Sequence, residues 1–301
     1  MRRALLALSA LVTTLLVASV TLHTAPPPAR AEPVAFSLHR VRGSYAPPPS
    51  ARTPFTVLAI GSDYRPNETP CGCADSLHLI TVNPAKQGAT ILGFPRDSWV
   101  PIPGHGSNRI NTSLKSGGPE LVVATVQQLT GIQIDYYLLT DFEGFSRAVD
   151  GIGGIVVDVP YAMGDPYSGA YFEPGPVHMM GGEALSFARN RHGTPGGDIG
   201  RSENQGLVFL GALEKLRRDF RQDPALLVGW IAVGNRYLRT DLSLADLTRV
   251  GLAAARIDPA RVRNLVVPSS IGSVGSASVV FITDAAQSIY ADLRDDGLLS
   301  G

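Results

Sequence analysis

The sequence predicts an α/β layered domain, because short apolar runs alternate with segments that have helical periodicity. The first three runs, residues 57–60, 76–82 and 89–94, are rich in Val, Ile and Leu and end at Gly, Pro or charged residues. This pattern is typical of strands in the middle of a sheet. Helical segments separate several of the later runs, and such alternation indicates helices layered on a sheet.

The remainder of the chain continues this alternation. We predict helices over residues 117–131, 141–151, 182–188, about 198–220, from 243, and 284–293, and strands over 134–139, 155–159, 265–267 and 279–282. Pro119 suits the first turn of its helix, Gly131 suits a helix end, and Asp141 and Ser243 suit N-caps. Residues 101–104 and 161–176 are rich in Gly and Pro, which predicts loops.

The N-terminus resembles an export signal. Arg2 and Arg3 precede an apolar run over residues 4–22, and Ala29-Arg30-Ala31 has the small-x-small pattern of a cleavage site. The run is also near the ~20 residues that span a bilayer, so an uncleaved anchor is the alternative. Residues 1–31 are therefore a predicted signal peptide or membrane anchor, and residues 32–53 a Pro/Ala-rich linker. Both alternatives predict an extracytoplasmic protein.

Net charge and cysteine content exclude some classes of protein. The formal net charge is zero, which removes the usual reason to expect nucleic-acid binding. Cys71 and Cys73 are the two cysteines of the chain, and in an exported protein they are candidates for a strained bond across Gly72. A structural zinc site needs four ligands, so it is disfavoured here. The sequence leaves the pairing open.

Three charged residues flank the first strands. Asp63 follows the first strand, Asp75 begins the second and Arg96 follows the third. A sheet of these strands would bring the three side chains near one edge. Two carboxylates beside arginines form the composition expected of a site that binds a metal ion and a phosphate together.

Further arginines gather around the start of the long helix. Arg189 and Arg191 lie where the preceding helix gives way to irregular chain, so they are expected to converge. Arg201 and Gln205 are four residues apart and face the same way. They lie in the first turns of the helix, where free N–H groups and the helix dipole favour anions.

Taken together, these motifs resemble the LytR-CpsA-Psr family of cell-envelope enzymes. The matching segments are GSDYR at 61–65, ADS at 74–76, PRDS at 95–98, RIN at 109–111, GGPE at 117–120, DYY at 135–137, DFEGF at 141–145, VDGIGG at 149–154, ARNR at 188–191, and DIGR at 198–201 with Gln205. Each segment alone is weak, but their order and spacing together are specific. The resemblance covers residues 54–297, which it implies to be one catalytic domain.

The resemblance implies a fold and an activity. The expected fold is a mixed central β-sheet sandwiched between helices, with a hydrophobic tunnel for a polyprenyl chain. The expected activity is transfer of a glycopolymer from a polyprenyl-pyrophosphate carrier onto peptidoglycan or another cell-wall polymer, forming a phosphodiester. The expected partners are therefore this lipid-linked donor, the wall-polymer acceptor and the membrane surface, with no nucleic acid. We expect a monomer.

The resemblance also assigns roles to the polar residues. Asp63 and Asp75 would hold Mg²⁺, or Mn²⁺ as a substitute. The expected catalytic residues are Arg96, Arg189, Arg191 and Arg201, and the expected substrate-binding residues are Arg65, Gln205, Arg109 and Asn111. Two positions depart from the family pattern, because Cys73 and Asn204 stand where members commonly carry Arg.

Two alternatives use the same residues. Water in place of the sugar acceptor would make the protein a polyprenyl-pyrophosphate hydrolase. Loss of the two arginines could instead leave a non-catalytic binder of the lipid carrier or of wall polymer. A role in transcription is disfavoured by the export signal and the neutral charge. The identity of the donor polymer cannot be derived from the sequence.

Overall fold

The computed structural model describes residues 53–65 and 72–300 of the chain. The predicted leader at residues 1–31 and the linker up to residue 52 lie outside this part, as does Cys71, so these assignments stay predictions. Within the described residues, no helix has both the length and the apolarity needed to cross a bilayer.

Six strands form the central sheet, and smaller hairpins surround it. The strands are β1 Phe55–Ser62, β2 Ala74–Asn83, β3 Gly88–Gly93, β4 Trp99–Ile102, β5 Gly106–Arg109, β6 Tyr136–Asp141, β7 Ile155–Val159, β8 Met163–Asp165, β9 Ala170–Phe172, β10 Gly175–Met179, β11 Arg239–Thr240, β12 Val262–Val266, β13 Ser269–Val274 and β14 Ala277–Ile282. The central order is β11-β6-β1-β2-β3-β12. β1 to β3 are antiparallel, whereas β6 runs parallel to β1 and β12 parallel to β3. The predicted mixed sheet is confirmed.

Seven α-helices lie in the described part of the chain. They are α1 Thr112–Thr130, α2 Phe142–Gly151, α3 Gly181–Arg189, α4 Asp198–Gln222, α5 Leu226–Tyr237, α6 Leu244–Ala254 and α7 Ala286–Asp296, with a 3-10 turn at Pro259–Arg261. Both predicted N-caps are confirmed. Asp141 Oδ1 accepts a hydrogen bond from the Gly144 amide at 2.7 Å, and Ser243 Oγ accepts one from the Asp246 amide at 3.1 Å. Gly131 ends α1 in the left-handed conformation.

The first helix and strand β6 differ from the prediction at their ends. Helix α1 begins at Thr112, five residues early, and its backbone breaks at Gly117 and Gly118 before Pro119 opens the longer segment. The predicted start was therefore the start of this second segment. Strand β6 begins at Tyr136, because residues 134 and 135 still belong to the loop that follows Gly131.

Several elements were missed because their stability comes from pairing. Residues 101–104, predicted as a loop, form the end of β4 and part of the turn of the β4–β5 hairpin. The predicted loop at 161–176 contains β8, β9 and the start of β10. Strands of three to five residues carry too little periodicity to be recognised. Helix α5 was also missed, since its run LLVGWIAVG is apolar nearly throughout and has no polar face to set a period.

Helices cover both faces of the central sheet. On one face, α1 and α7 pack on side chains such as Leu58 and Leu79. On the other face, α4 and α6 pack on Phe55 and Val57. The start of α4 thereby comes to lie beside the ends of β1, β2 and β3, where the predicted site residues are.

Candidate functional site

A β-bulge sets the position of Asp75. Gly61 of β1 lies opposite Ser76 of β2, but the next residue, Ser62, lies opposite Ala74. Asp75 is therefore the extra residue of β2 at this point. A bulge interrupts the alternation of side chains along a strand and turns the extra residue toward a new direction. The carboxylate of Asp75, only 8% exposed, reaches two arginines from other elements.

Four residues form a charged centre, in which Asp75, Asp198 and Arg201 are buried and Arg96 is partly exposed. Arg96 Nη1 donates a hydrogen bond to Asp75 Oδ1, and Arg201 Nη1 lies 3.7 Å from the same oxygen. Arg201 Nη2 also donates to Asp198 Oδ1 in the first turn of α4. The centre therefore joins β2, the segment after β3 and the start of α4.

Burial and charge act in opposite directions on the two guanidinium groups. Burial lowers the pKa of Arg201, and the nearby Arg96 and Arg191 lower it further, against the attraction of Asp198 and Asp75. Burial also acts to lower the pKa of Arg96, but Asp75, Asp97 and Asp198 outweigh it and raise that pKa. Arginine keeps its charge in proteins, so both groups stay cationic and offer bidentate contacts to an anion.

Gln205 contacts the same bulge as Arg201. Its Nε2 donates to the Asp75 carbonyl at 3.3 Å and to the Ala188 carbonyl at 3.1 Å. The prediction that Arg201 and Gln205 face the same way is confirmed, since both reach Asp75. Gln205 also ties the end of α3 to the bulge, which brings the segment that follows Arg189 near the charged centre.

His78 fixes the start of α4 to β2. Its Nε2 lies 3.0 Å from the Ser202 carbonyl, and its Nδ1 lies 3.1 Å from Ser76 Oγ. A carbonyl only accepts, so Nε2 carries the proton and Nδ1 accepts from Ser76. Burial lowers the pKa of His78 to about 4, which keeps the ring neutral. The whole residue is buried. Gly93 leaves space here, because a methyl group on it would clash with the Ser202 hydroxyl.

Asp63 lies at the loop end of the β1–β2 hairpin, directly after β1. Its Oδ1 accepts from the Cys73 amide at 2.8 Å, and its own amide donates to the Cys73 carbonyl at 3.0 Å. Cys73 is disulfide-bonded. Asp63 and Asp75 therefore lie at the same end of one hairpin, Asp63 after β1 and Asp75 near the start of β2.

The donor atoms of this region fit a hard cation that is shared with a substrate phosphate. Within the described residues, no group of three His, Cys, Asp or Glu side chains would hold a metal ion by itself. Magnesium often takes only one or two carboxylates and completes its shell with phosphate and water. Asp198 Oδ2 and Asn111 Oδ1 are buried and have no hydrogen-bond partner among the described residues. Both are oxygens, the ligand type that Mg²⁺ prefers.

Arg65 and Arg189 meet over one aromatic ring beside an open cleft. Their guanidinium carbons lie 5.4 and 4.8 Å from the centre of the Phe142 ring. The open cleft, of about 480 Å³, is lined by Tyr64, Arg65, Asp141, Phe142, Tyr167 and Arg189 among others. A cation held over a ring face gains roughly 0.5–2 kcal/mol, depending on its exposure. Phe142 therefore brings together two arginines that are far apart in sequence.

The three remaining predicted residues, Arg191, Asn111 and Arg109, lie around the charged centre and the open cleft. Arg191 is exposed, and it is close enough to Arg201 to affect the pKa of that residue. Asn111 bonds through its backbone to Arg96 and Ala74. Arg109 Nη2 donates to the Ser278 carbonyl at 2.7 Å, and its Nε lies 3.6 Å from Asp97. Arg109 thus joins β5 to β14, and its substrate-binding role stays a prediction.

The family assignment follows from comparison with known proteins. The model of the LytR_cpsA_psr family matches residues 19–293, most of the chain. The chain belongs to the LytR-CpsA-Psr family.

Curated members of this family match over a shorter region. A protein of Bacillus cereus (strain AH820), named polyisoprenyl-teichoic acid–peptidoglycan teichoic acid transferase TagU, is 36% identical over 167 residues, which are 55% of this chain and 54% of that protein. The TagU protein of Bacillus licheniformis is 37% identical over 163 residues, 54% of this chain and 52% of that protein. The chain therefore matches about half the length of these relatives.

Solved structures of other members share the fold. The crystal structure of Bacillus subtilis TagU has a TM-score of 0.62 at 25% identity, over 83% of this chain and 99% of that chain. Bacillus subtilis TagV has a TM-score of 0.69 at 23% identity, over 83% and 99%. A structure of TagT bound to LI-WTA has a TM-score of 0.67 at 23% identity, over 85% and 94%.

Both departures from the LytR-CpsA-Psr pattern are buried in the structure. Cys73 is 3% exposed and Asn204 is 1% exposed. Asn204 Nδ2 donates to the Tyr161 hydroxyl at 3.2 Å and approaches Thr194 Oγ1 at 3.4 Å. Asn204 thus supports the loop that precedes α4 and takes part in a neutral network in place of the arginine charge.

The sequence reasoning missed three residues that shape the site. Asp198 pairs with Arg201, Phe142 holds two arginines, and Asp165 bonds the segment that carries Arg191. For Asp198 a signal existed, because an acidic residue three positions before an arginine on a helix faces it. Nothing in the sequence pattern indicated the other two contacts, which join segments far apart in the chain.

Proposed function

We propose that this protein transfers a glycopolymer from a polyprenyl-pyrophosphate carrier onto peptidoglycan and forms a phosphodiester. Family membership supports the reaction class, and the names of the TagU relatives favour a teichoic-acid-type polymer as the donor. The observation that carries the proposal is the charged centre, where Arg96 and Arg201 surround the carboxylate of the bulged Asp75. Such a reaction takes place outside the cytoplasm, at the membrane surface where the donor lies.

The arginines match the charge that the reaction develops. Breaking a pyrophosphate bond places negative charge on the bridging and equatorial oxygens. Arg96 and Arg201 are held in position by carboxylates, and Arg191 lies nearby. Donors fixed before the reaction stabilise that charge without reorganisation. The acceptor hydroxyl then attacks the phosphorus that carries the glycopolymer, and the polyprenyl phosphate leaves.

A metal ion has oxygen donors available beside this centre. Asp63 and Asp75 would hold Mg²⁺ or Mn²⁺, and phosphate oxygens, water and the unpartnered Asn111 Oδ1 would complete the coordination shell. Such a cation would neutralise part of the charge on the diphosphate. The chain itself supplies the arginines that bind the remaining phosphoryl oxygens.

The polyprenyl chain needs an apolar site next to the charged centre. Between the sheet and helices α4 and α6, several apolar side chains stay only partly buried: Ile80, Leu138, Leu213, Leu247 and Val250. Apolar surface left accessible between two layers is characteristic of ligand sites. We propose that this region forms the lipid tunnel, and that it opens toward the start of α4.

A reconstituted assay tests the proposed function. The protein would be incubated with a polyprenyl-pyrophosphate-linked saccharide, Mg²⁺ and a peptidoglycan fragment, and the products separated by mass. We expect a saccharide joined to the fragment through a phosphodiester. Free phosphosaccharide without coupled product would instead support a hydrolase, and binding without turnover would support a carrier protein.

Two variants connect this activity to the charged centre. Arg201→Lys and Asp75→Asn should each lower the transfer rate by about 10²–10³. The first removes the guanidinium fork that would bind the reacting phosphate, and the second removes the carboxylate that holds Arg96 and Arg201 in position. Arg249→Lys is the matched control, since Arg249 pairs with Asp246 on the exposed side of α6. Thermal unfolding of all three variants would show that lost activity is not lost folding.

A further inference from the structure

We propose that the open cleft binds the first sugar of the donor, with Tyr64 and Tyr167 as stacking surfaces and Arg65 and Arg189 on the adjoining phosphate. The inference rests on the proposed function and adds to it a sugar site next to the reacting diphosphate. The cleft volume of about 480 Å³ lies within the roughly 300–1,000 Å³ of small-molecule sites.

Two aromatic rings of the cleft remain open to solvent. Tyr167 is 77% exposed and Tyr64 is 49% exposed. A tyrosine offers a large contact area at a small cost in conformational entropy, which suits it to recognition surfaces. The apolar C–H face of a sugar ring packs on the electron-rich face of an aromatic ring, while the sugar hydroxyls remain free to bond polar groups. Glu143 lines the same cleft; its Oε1 pairs with Arg147, and its other carboxylate oxygen can accept such bonds.

The Tyr167 ring is held in place although it is exposed. Asp165, 1% exposed, accepts hydrogen bonds from the Tyr167 amide and the Ser168 hydroxyl, both at 2.9 Å. The ring also packs against His192, with 4.5 Å between the ring centres and 41° between the ring planes. A surface ring on a hairpin tip would otherwise move freely, so these contacts indicate a binding surface formed before the ligand arrives.

The same carboxylate connects the tyrosine to the arginine segment. Asp165 Oδ2 accepts from the Arg191 amide at 3.4 Å, and Asp165 Oδ1 lies 3.6 Å from His192 Nδ1. Burial acts to raise the pKa of Asp165, but its hydrogen bonds from Tyr167, Ser168, Arg191 and His192 lower it to about 2. An ionised Asp165 therefore holds the hairpin tip and the segment after α3 in one arrangement.

The arginines place the phosphate next to the sugar. Arg65 and Arg189 lie over Phe142 in the same cleft as the two tyrosines. A glycosyl diphosphate has its sugar directly bonded to the phosphate, so one ligand reaches both groups. A sugar without phosphate would use only the rings. This difference favours the donor over the acceptor as the occupant of the cleft.

Binding of small probes to the full chain tests this assignment. The probes are an N-acetylhexosamine 1-diphosphate, the same sugar without phosphate, inorganic pyrophosphate, and a peptidoglycan disaccharide, each measured by calorimetry. Tyr167→Ala should weaken binding of the sugar diphosphate about tenfold and leave pyrophosphate affinity unchanged. Tyr171→Ala is the matched control, because Tyr171 lies on the same hairpin, is 65% exposed and does not line the cleft.

Three results would overturn the sugar site. Equal losses in Tyr167→Ala and Tyr171→Ala would show a general effect on the hairpin. A Tyr167→Ala loss of the same size for pyrophosphate would place the effect on the phosphate arginines. Tighter binding of the disaccharide than of the sugar diphosphate would assign the cleft to the acceptor. If the wild-type protein binds the sugar diphosphate but catalyses no transfer, the proposed function fails while the sugar site stands.

Discussion

The two faces of the central sheet are packed to different degrees. On the face covered by α1 and α7, Leu58, Leu79, Val122 and Tyr290 are completely buried. On the face covered by α4 and α6, here called the open face, Phe55 and Val57 are buried, but Ile80 and Leu213 stay partly exposed. Both faces have a buried core, but partly exposed apolar side chains make up a larger share of the second.

This difference in burial suggests different roles for the two faces, the first in stability and the second in ligand binding. Complete burial maximises the hydrophobic contribution to folding, so the first face supplies most of the stability per side chain. Apolar surface left accessible on the second face does not stabilise the free protein, but it is available to an apolar ligand. The charged centre lies at the end of this second face, where α4 begins. A polyprenyl diphosphate would have its chain on the open face and its phosphates at the arginines.

A pair of identical truncations gives the largest expected contrast between the faces. Leu79→Ala should lower the free energy of unfolding by about 2–5 kcal/mol, because it leaves a cavity in a closely packed core. Leu213→Ala should cost clearly less, since part of that side chain is already in contact with solvent. Urea unfolding of both variants measures the two costs. Equal costs would contradict the comparison.

His78 joins β2 to α4 on the open face, and the pH dependence of stability tests this contact. The pKa of His78 falls from 6.5 to about 4 on folding. Between these two pH values the imidazole is protonated in the unfolded state and neutral in the folded state. The free energy of unfolding is therefore unaffected by this group above pH 6.5, and it decreases by on the order of 3 kcal/mol as the pH falls toward 4.

Removing the imidazole isolates this effect from the carboxylates. In His78→Gln, whose amide can still donate to the Ser202 carbonyl, unfolding free energies from pH 7 to 4 should decline less steeply than in the wild type. Parallel pH profiles for the two proteins would show that His78 is not the group responsible.

Filling the open face should affect lipid binding more than folding. Leu247→Trp places a larger side chain among the partly buried residues of α6 and should weaken binding of a long polyprenyl diphosphate about tenfold. A diphosphate with two isoprene units should bind as before, because it would reach less of the proposed tunnel. Leu244→Trp is the control, since Leu244 is 60% exposed on the same helix. Equal affinity losses for both lipids would exclude a chain-length effect.

The smallest expected effect concerns the cap of the helix that covers the open face. Ser243→Ala removes the side-chain bond to the Asp246 amide and should destabilise the protein by about 1 kcal/mol. Ser288→Ala on α7 removes a bond to the Ala285 carbonyl on an exposed surface and should stay within roughly 0.5 kcal/mol of the wild type. Denaturant midpoints compare the two. A larger loss for Ser288→Ala would be unexpected.

Local features of the fold were predictable because they depend on neighbouring residues. The strands β1 to β3, the caps at Asp141 and Ser243, and the common direction of Arg201 and Gln205 all follow from short-range patterns. Hydrogen bonds within a turn and the periodicity of a strand or helix involve residues only a few positions apart. Such interactions can be recognised before the fold is known.

Contacts between distant segments were decided by the tertiary structure. The register of β1 against β2 makes Asp75 a bulge residue, and the packing of α2 against α3 and the segment after β1 puts Arg65 and Arg189 over Phe142. The partly open face likewise depends on how closely α4 and α6 approach the sheet. Composition and spacing therefore identify which residues take part, whereas their directions and distances arise only when separate elements pack, since no local interaction specifies them.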